Sequence, residues 1–289
     1  MPALVINGAT RLIPIIGDPI AQVKSPAGVT LALQQRGVNA ACVPVHVAAD
    51  DVEAFIDAAE RVQNIDGIIV TVPHKFAAYR HCSSATGRAH LLGSVQILRR
   101  NANRTWHGDH LDGEGFVAGI RAAGCKPEGS RALLVGAGGA GSAIALALLD
   151  AGVATLAIHD TDATRSDALR AKLAPRYGEA ITAGSSDPTG YTLIVNATPR
   201  GMQVGDPFPI EVAKLASPMF VADVITAPAT TPLIEAARAA GCAVQVGAAM
   251  FEGVNERMVR FLLQTDDGGG DRATGGHRTN PARARLPAV

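Results

Sequence analysis

One segment, residues 131–160, constrains the fold of this chain more than any other. It reads RALLVGAGGAGSAIALALLDAGVATLAIHD, so a short apolar run stops at six small residues before an Ala- and Leu-rich stretch begins. That stretch has the composition of a helix, and a second apolar run, residues 154–158, follows it and leads to Asp160. The order predicts strand, glycine loop, helix and strand, the unit from which parallel sheets with right-handed crossovers are built.

The glycines of this loop fall where a bound pyrophosphate requires them. Gly136 permits the tight turn after the strand, Gly138 lets the backbone approach a phosphate, and Gly141 lets the helix pack closely. The helix N-terminus adds free N–H groups and a partial positive charge. Asp160 lies about 20 residues past the loop, where an acid accepts hydrogen bonds from a ribose. We therefore predict a dinucleotide site formed by Gly136, Ala137, Gly138, Gly139, Ala140 and Gly141.

The position of the loop predicts a second domain before it. The chain has 289 residues, 47% hydrophobic and 18% charged, which is enough apolar material for two cores. We expect an α/β protein with an N-terminal α/β domain at residues 1–112 and a Rossmann domain at residues 113–247. Residues 248–264 form a predicted helix that packs back on the first domain. Residues 265–289 have a disordered-tail composition, with an interaction arm as the less favoured alternative.

Three smaller elements follow from the local pattern. Ser25 and Pro26 predict the N-cap and first position of a helix that continues to residue 36. Further helices are predicted at residues 85–92 and at residues 210–215.

Composition excludes several classes of function. The formal net charge is zero and aromatic residues make up 4%, which argues against binding to nucleic acid or to a membrane surface. No apolar run approaches the roughly 18 residues of a membrane span, and no signal peptide is evident, so we expect a cytoplasmic protein, monomeric or homodimeric. The four cysteines lack a CxxC pair and the eight histidines lack ligand spacing, so no metal site is predicted.

Two further segments place proton-transferring side chains near the ends of predicted strands. The first, VTVPHK at residues 70–75, closes a buried strand and ends in Lys75. In open α/β sheets, ligands bind outside the carboxyl ends of the strands. The second, GDHLDGEG at residues 108–115, contains Asp112 and lies at the predicted domain junction. Alone, such a lysine is usually solvated and such an acid cluster is usually a turn or a helix cap.

The motifs occur together in a particular order along the chain. They are residues 15–17, Pro19-Ile20, Ser25-Pro26, residues 66–75, Gly93-Ser94-Val95, Asp112-Gly113-Glu114-Gly115, residues 136–141, Asn196-Ala197-Thr198, Gly201-Met202, Asp223 with Pro228, and Gly247 with Met250. In this order they resemble the shikimate/quinate dehydrogenase family over about residues 12–263. The resemblance implies a substrate domain, a Rossmann domain and a cleft between them. It also implies that, in this cleft, hydride passes between a nicotinamide and a secondary alcohol of a small cyclic hydroxy acid.

The resemblance also implies residue roles. The lysine and aspartate that lie beside the reacting alcohol in the family match Lys75 and Asp112. A lysine there can take or relay the hydroxyl proton, and the aspartate can orient it. The expected substrate contacts are Ser25, Thr71 and Gln96. Lys24 and His110 are further candidates for new substrate contacts, or else solvated and supporting residues. The matching cofactor positions beyond the loop are Asn196, Thr198 and Gly247.

The substrate pocket departs from the family pattern while Lys75 and Asp112 are retained. Most of the departures replace a polar side chain by an apolar one. The changed positions are Val23, Ile69, Gln96, His110, Leu111, Thr226 and Val254. A site that loses hydrogen-bonding groups loses discrimination between hydroxylated substrates. We therefore expect the same reaction on a less hydroxylated or differently hydroxylated acid. The alternatives are genuine shikimate or quinate dehydrogenase activity and a catalytically silent dinucleotide-binding sensor.

The sequence after the second strand of the Rossmann domain bears on the cofactor. Family members that use NADP commonly have Asn-Arg-Thr there, whereas this chain has Asp160 at the first position. A carboxylate accepts hydrogen bonds from ribose hydroxyls and repels a 2′-phosphate. Arg165 could still reach such a phosphate. We expect NAD as the cofactor, with NADP the less favoured alternative.

Overall fold

A computed structural model describes residues 6–264 of the chain. The predicted tail at residues 265–289 lies outside the described residues. Within residues 6–264, the helices are too short or too polar for any of them to cross a membrane.

The first half of the chain forms a six-stranded mixed sheet. Its strand order is β2-β1-β3-β5-β6-β4, and β5 runs antiparallel to both of its neighbours. The strands are β1 (Arg11–Gly17), β2 (Ala40–His46), β3 (Gly67–Val70), β4 (Cys82–Ala85), β5 (Ile97–Arg100) and β6 (Trp106–Asp109). The helices connecting them are α1 (Ser25–Gln35), α2 (Val52–Arg61), α3 (Lys75–Tyr79) and α4 (Gly87–Leu92).

The second half forms a six-stranded parallel sheet with the order β12-β11-β10-β7-β8-β9. This is the Rossmann order, with the direction of winding reversed between β7 and β10. Its strands are β7 (Arg131–Val135), β8 (Thr155–His159), β9 (Ile181–Ala183), β10 (Leu193–Asn196), β11 (Phe220–Asp223) and β12 (Ala243–Gln245). Its helices are α6 (Gly139–Asp150), α7 (Ala163–Tyr177) and α8 (Pro232–Ala239).

Two helices join the sheets, α5 (Asp112–Ala122) and α9 (Gly247–Leu263). They cross at a very short distance, because a Cβ on Gly115 of α5 would lie 2.1 Å from Val254 Cγ2 on α9. The α9 helix also packs against α1, where Arg36 forms an ion pair with Glu256. Its last turn reaches the first sheet, because a Cβ on Gly67 would lie 2.3 Å from Leu262 Cδ2.

Three local predictions differ from the structure, and two edge strands were not predicted. The predicted helix at residues 85–92 begins only at Gly87, because residues 82–85 form the edge strand β4. Sequence reasoning missed β4 and the other edge strand, β9, since both are short and neither is fully buried. Residues 210–215 contain a single 3₁₀ turn and no α-helix. A segment this short forms too few hydrogen bonds to offset the free-energy cost of helix nucleation. Ser25 is the first helical residue of α1, so Lys24 precedes the helix without capping it.

Candidate active site

A buried ion pair joins the two parts of the first domain that sequence reasoning singled out. Lys75, the first residue of α3, donates a hydrogen bond from Nζ to Oδ2 of Asp112, the first residue of α5. The two side chains are only 10% and 5% exposed. Isolated charges at such depth are costly, and here each group lies against a charge of opposite sign.

The surroundings of Asp112 favour its charged form. Burial alone raises the pKa of the carboxyl group, but the Lys75 ammonium and the adjacent His110 bring that pKa below its ordinary value. The position at the start of α5 also places the carboxylate at the positive end of a helix dipole. Asp112 is therefore ionised at neutral pH and holds the Lys75 side chain in place.

The glycine loop has the geometry of a phosphate cradle. Gly136 has φ of +106°, and a Cβ on it would lie 2.7 Å from the Ala197 carbonyl oxygen. A Cβ on Gly141 would lie 1.9 Å from the Gly136 carbonyl oxygen, so the start of α6 packs against the loop without room for a methyl group. A Cβ on Gly138 would meet nothing within 4 Å. The loop therefore packs tightly against the protein at Gly136 and Gly141 and leaves free space beside Gly138. This arrangement fits a dinucleotide pyrophosphate, which would approach the backbone at Gly138.

This loop lies directly against the ion pair. A Cβ on Gly139 would be 2.9 Å from Cδ of Lys75, so the first residue of α6 contacts the lysine side chain. A Cβ on Gly113, the residue after Asp112, would be 2.1 Å from the Ala143 carbonyl oxygen of α6. The Rossmann domain and the ion pair therefore form one continuous site.

Asp160 follows β8 and faces the loop. Its Oδ2 accepts a hydrogen bond from the Ala137 N–H at 2.7 Å, and its Oδ1 accepts one from the Asp162 N–H at 2.9 Å. Arg165 lies one turn into α7 and pairs with Asp162, with 3.3 Å between Nε and Oδ2. The arginine predicted as a possible phosphate ligand thus has a carboxylate partner beside Asp160.

The other predicted cofactor residues stabilise the loops at the ends of β10 and β11. Asn196 Oδ1 accepts hydrogen bonds from the N–H and the hydroxyl of Thr198, at 3.0 and 2.7 Å. Asn196 Nδ2 donates to Asp223 at 3.2 Å. Gly247 begins α9, and a Cβ on it would be 2.2 Å from the Ile225 carbonyl oxygen. Their contacts are with the protein, and their role as cofactor ligands stays a prediction.

The predicted substrate residues divide into two groups. Gln96 accepts a hydrogen bond from the Leu111 N–H at 3.2 Å, and the preceding Val95 N–H donates to the Lys75 carbonyl, so Gln96 lies beside the ion pair. Thr71, at the end of β3, is half-buried. Ser25 is buried at the start of α1 and Lys24 is exposed. In the described part of the chain, Ser25 and Lys24 form no hydrogen bond or ion pair with Lys75 or Asp112.

His110 lies beside the ion pair, and two residues that sequence reasoning did not select hold it there. Asp109 Oδ1 accepts a hydrogen bond from the His110 backbone N–H at 2.7 Å. Arg88 binds the two carboxylate oxygens of Asp109 at 2.7 and 2.6 Å. No sequence signal connects Arg88 on α4 with Asp109 on β6, because their pairing depends on the sheet. Within residues 6–264, no group of three or more potential metal ligands is present.

Comparison with known proteins identifies the family of the chain. Residues 15–98 match the family described as the shikimate dehydrogenase substrate binding domain. The "Shikimate dehydrogenase (NADP(+))" of Acidiphilium cryptum is 36% identical over 254 residues, which cover 86% of this chain and 88% of that protein.

Two solved structures extend the comparison to the fold. The quinate dehydrogenase of Corynebacterium glutamicum in complex with NAD has a TM-score of 0.78 and 26% identity, covering 88% of this chain and 94% of its own. The ligand-free 5-ketofructose reductase of Gluconobacter sp. strain CHM43 has a TM-score of 0.76 and 28% identity, covering 88% and 93%.

The resemblance inferred from the motifs is thus confirmed over most of the chain. The expected α/β fold with a Rossmann domain is confirmed as well. The chain belongs to the shikimate dehydrogenase family and is an oxidoreductase of that type, acting on CH–OH groups with a nicotinamide dinucleotide.

Proposed function

We propose that this protein oxidises a secondary alcohol of a small cyclic hydroxy acid with NAD, and that Lys75 and Asp112 handle the proton. The observation that carries the proposal is the contact between this buried ion pair and Gly139 of the glycine loop. It brings the proton-transferring groups next to the place where the dinucleotide enters. In this arrangement residues 1–112 serve as the substrate domain and residues 113–247 as the dinucleotide domain.

The protein's own part in the chemistry is the movement of a proton. The nicotinamide, when bound, supplies the acceptor for the hydride. As the hydride leaves, Lys75 relays the hydroxyl proton by giving one of its own protons to the Asp112 carboxylate, and in the reverse direction it donates a proton to the developing alkoxide. Asp112 orients the Lys75 ammonium and keeps a compensating charge beside it. The backbone N–H groups of the glycine loop would hold the pyrophosphate of the dinucleotide.

We propose a substrate other than shikimate, because three of the replaced pocket residues pack in the hydrophobic core. Ile69 and Val254 are 2% and 3% exposed and lie in the main hydrophobic cluster, against which Val23 also packs. None of the three side chains can bind a substrate hydroxyl. Gln96 and Thr71 remain as polar contacts near Lys75, with Ser25, Lys24 and His110 as further candidates. The fold relative named 5-ketofructose reductase supports a change of substrate on this scaffold.

We also propose NAD rather than NADP. Asp160 places a carboxylate at the carboxyl end of β8, where it accepts from the loop and has lone pairs left for ribose hydroxyls. Arg165 is engaged with Asp162, which weakens its attraction for a 2′-phosphate. The curated relatives are named NADP(+) enzymes, whereas the related quinate dehydrogenase structure contains NAD. The proposal therefore separates this chain from its named sequence relatives.

A panel of cyclic hydroxy acids tests the proposal, with NAD or NADP and detection of the reduced nicotinamide. We expect NAD-dependent oxidation of at least one acid, with lower efficiency for NADP. The Lys75→Ala and Asp112→Asn variants should bind NAD normally and lose turnover. Near wild-type rates in both variants would reject the assigned roles. Tight NAD binding without turnover of any acid would instead support a sensor.

A further inference from the structure

His110 is buried and makes no hydrogen bond through its ring. The residue is 1% exposed, and neither Nδ1 nor Nε2 has a partner among residues 6–264. Only its backbone is fixed, by the hydrogen bond from its N–H to Asp109. Buried imidazoles are normally tied to an acceptor or a donor, and here no such bond opposes rotation of the ring.

The ring faces the proton-transferring pair. Nδ1 of His110 is 3.9 Å from Oδ2 of Asp112, the same oxygen that accepts the hydrogen bond from Lys75. The charged groups around the ring are Lys75 on α3, Asp112 on α5, Asp109 on β6 and Arg88 on α4. Burial, together with the Lys75 charge, lowers the pKa of His110 to about 4. The ring is therefore neutral at pH 7, with one nitrogen that accepts a proton and one that donates.

His110 also contributes to the lining of a groove of about 320 Å³. Its walls are α5 and α6, and α4 contributes to its lining. Exposed Glu114 and Asp150 contribute to its rim, so the groove is open to solvent. His110 thus neighbours the enclosed carboxylate of Asp112 and also borders a groove that opens to bulk water.

We propose that His110 carries protons between Asp112 and this groove, which rests on the proposed dehydrogenase function. Each alcohol oxidation releases one proton, which enters the Lys75–Asp112 pair. The pair passes it to the free ring nitrogen of His110, and the opposite nitrogen gives its own proton to water in the groove. Rotation of the unanchored ring then restores the starting tautomer. One proton leaves per turnover, and the imidazole ends neutral.

Carbethoxylation of the native protein tests the connection without a substrate. Diethyl pyrocarbonate adds an ethoxycarbonyl group to a neutral imidazole and releases ethanol and carbon dioxide. His74 is the matched control, because it is also 1% exposed but its Nε2 is bonded to the Val47 carbonyl at 2.8 Å. We expect peptide mapping to show His110 modified and His74 unmodified. Ala118→Phe, which fills the groove, should protect His110. Equal resistance of the two histidines would overturn the proposal.

Turnover measurements test the proton transfer itself, with NAD and an acid from the panel that the wild type oxidises. His110→Ala should lower kcat about tenfold with little change in KM, and added imidazole should restore it through the vacated space. His110→Phe should be equally slow and insensitive to imidazole. Unchanged kcat in both variants, or no rescue of His110→Ala, would overturn the relay. The proposed function fails separately, if the wild type oxidises none of the acids.

Discussion

The glycine loop and the substrate side of Lys75 meet at one point but are specified in different ways. On the loop side, backbone sterics decide the residues, because Gly136 and Gly141 have no space for a side chain. On the substrate side, three side chains converge: Lys75 of α3, Asp112 of α5, and His110, which follows β6. A backbone-dictated site has little freedom to change, whereas a side-chain site can be altered one residue at a time. This chain has the glycine loop of the first and, in the second, the Lys75–Asp112 pair that we propose transfers the proton.

The largest expected effect is on the substrate side. Lys75→Met should lower kcat by about 10²–10⁴, the usual contribution of a positioned proton-transfer group, and leave the affinity for NAD nearly unchanged. Lys214→Met is the matched control, because Lys214 also pairs with an aspartate but is exposed. It should leave kcat unchanged. Initial rates and NAD titration check both variants. Equal effects of the two substitutions on kcat would contradict a specific role of Lys75 in proton transfer.

The next effect is on stability and comes from His110. Its pKa is lowered to about 4 in the folded protein, against about 6.5 when unfolded, so between these values the unfolded chain binds the extra proton. The stabilisation is complete above pH 6.5 and is lost as the pH falls toward 4, by about 3 kcal/mol. Urea unfolding at a series of pH values should show this loss in the wild type. The same slope in His110→Phe would contradict it.

A smaller effect distinguishes two glycines of the loop. Gly141→Ala should lower the free energy of unfolding by about 1–3 kcal/mol, since its Cβ would overlap the Gly136 carbonyl oxygen. Gly138→Ala should change it by less than about 0.5 kcal/mol, because nothing lies within 4 Å of the added carbon. Its effect should appear in NAD affinity. Denaturant unfolding and NAD titration separate these outcomes, and equal destabilisation would refute the cradle geometry.

The smallest predicted effect concerns Asp160. Asp160→Ser should shift the ratio of kcat/KM for NAD to that for NADP by about tenfold toward NADP, because the substitution removes the negative charge facing a 2′-phosphate. Asp167→Ser serves as the control, because Asp167 is an exposed acid further along α7. A wild type that already favours NADP would overturn the cofactor proposal.

Sequence reasoning predicted the fold and the loop better than the pocket. The apolar runs and glycines at residues 131–160 act locally, so strand, loop and helix follow from composition and spacing. The edge strands β4 and β9 were missed, because short strands that are not fully buried lack an apolar pattern. Asp109 was missed because its partner Arg88 lies 21 residues earlier, and only sheet pairing brings them together. The absence of hydrogen-bond partners for the His110 ring among residues 6–264 likewise depends on three-dimensional packing, which the sequence pattern does not show.

The central claim is that the proton-transferring pair is retained while substrate recognition has changed. It is tested most directly by the dependence of the initial rate on shikimate concentration, with NAD or NADP as the cofactor. The account predicts weak or absent oxidation of shikimate, alongside NAD-dependent oxidation of another cyclic hydroxy acid by the same preparation. Saturation by shikimate at micromolar concentration would contradict it.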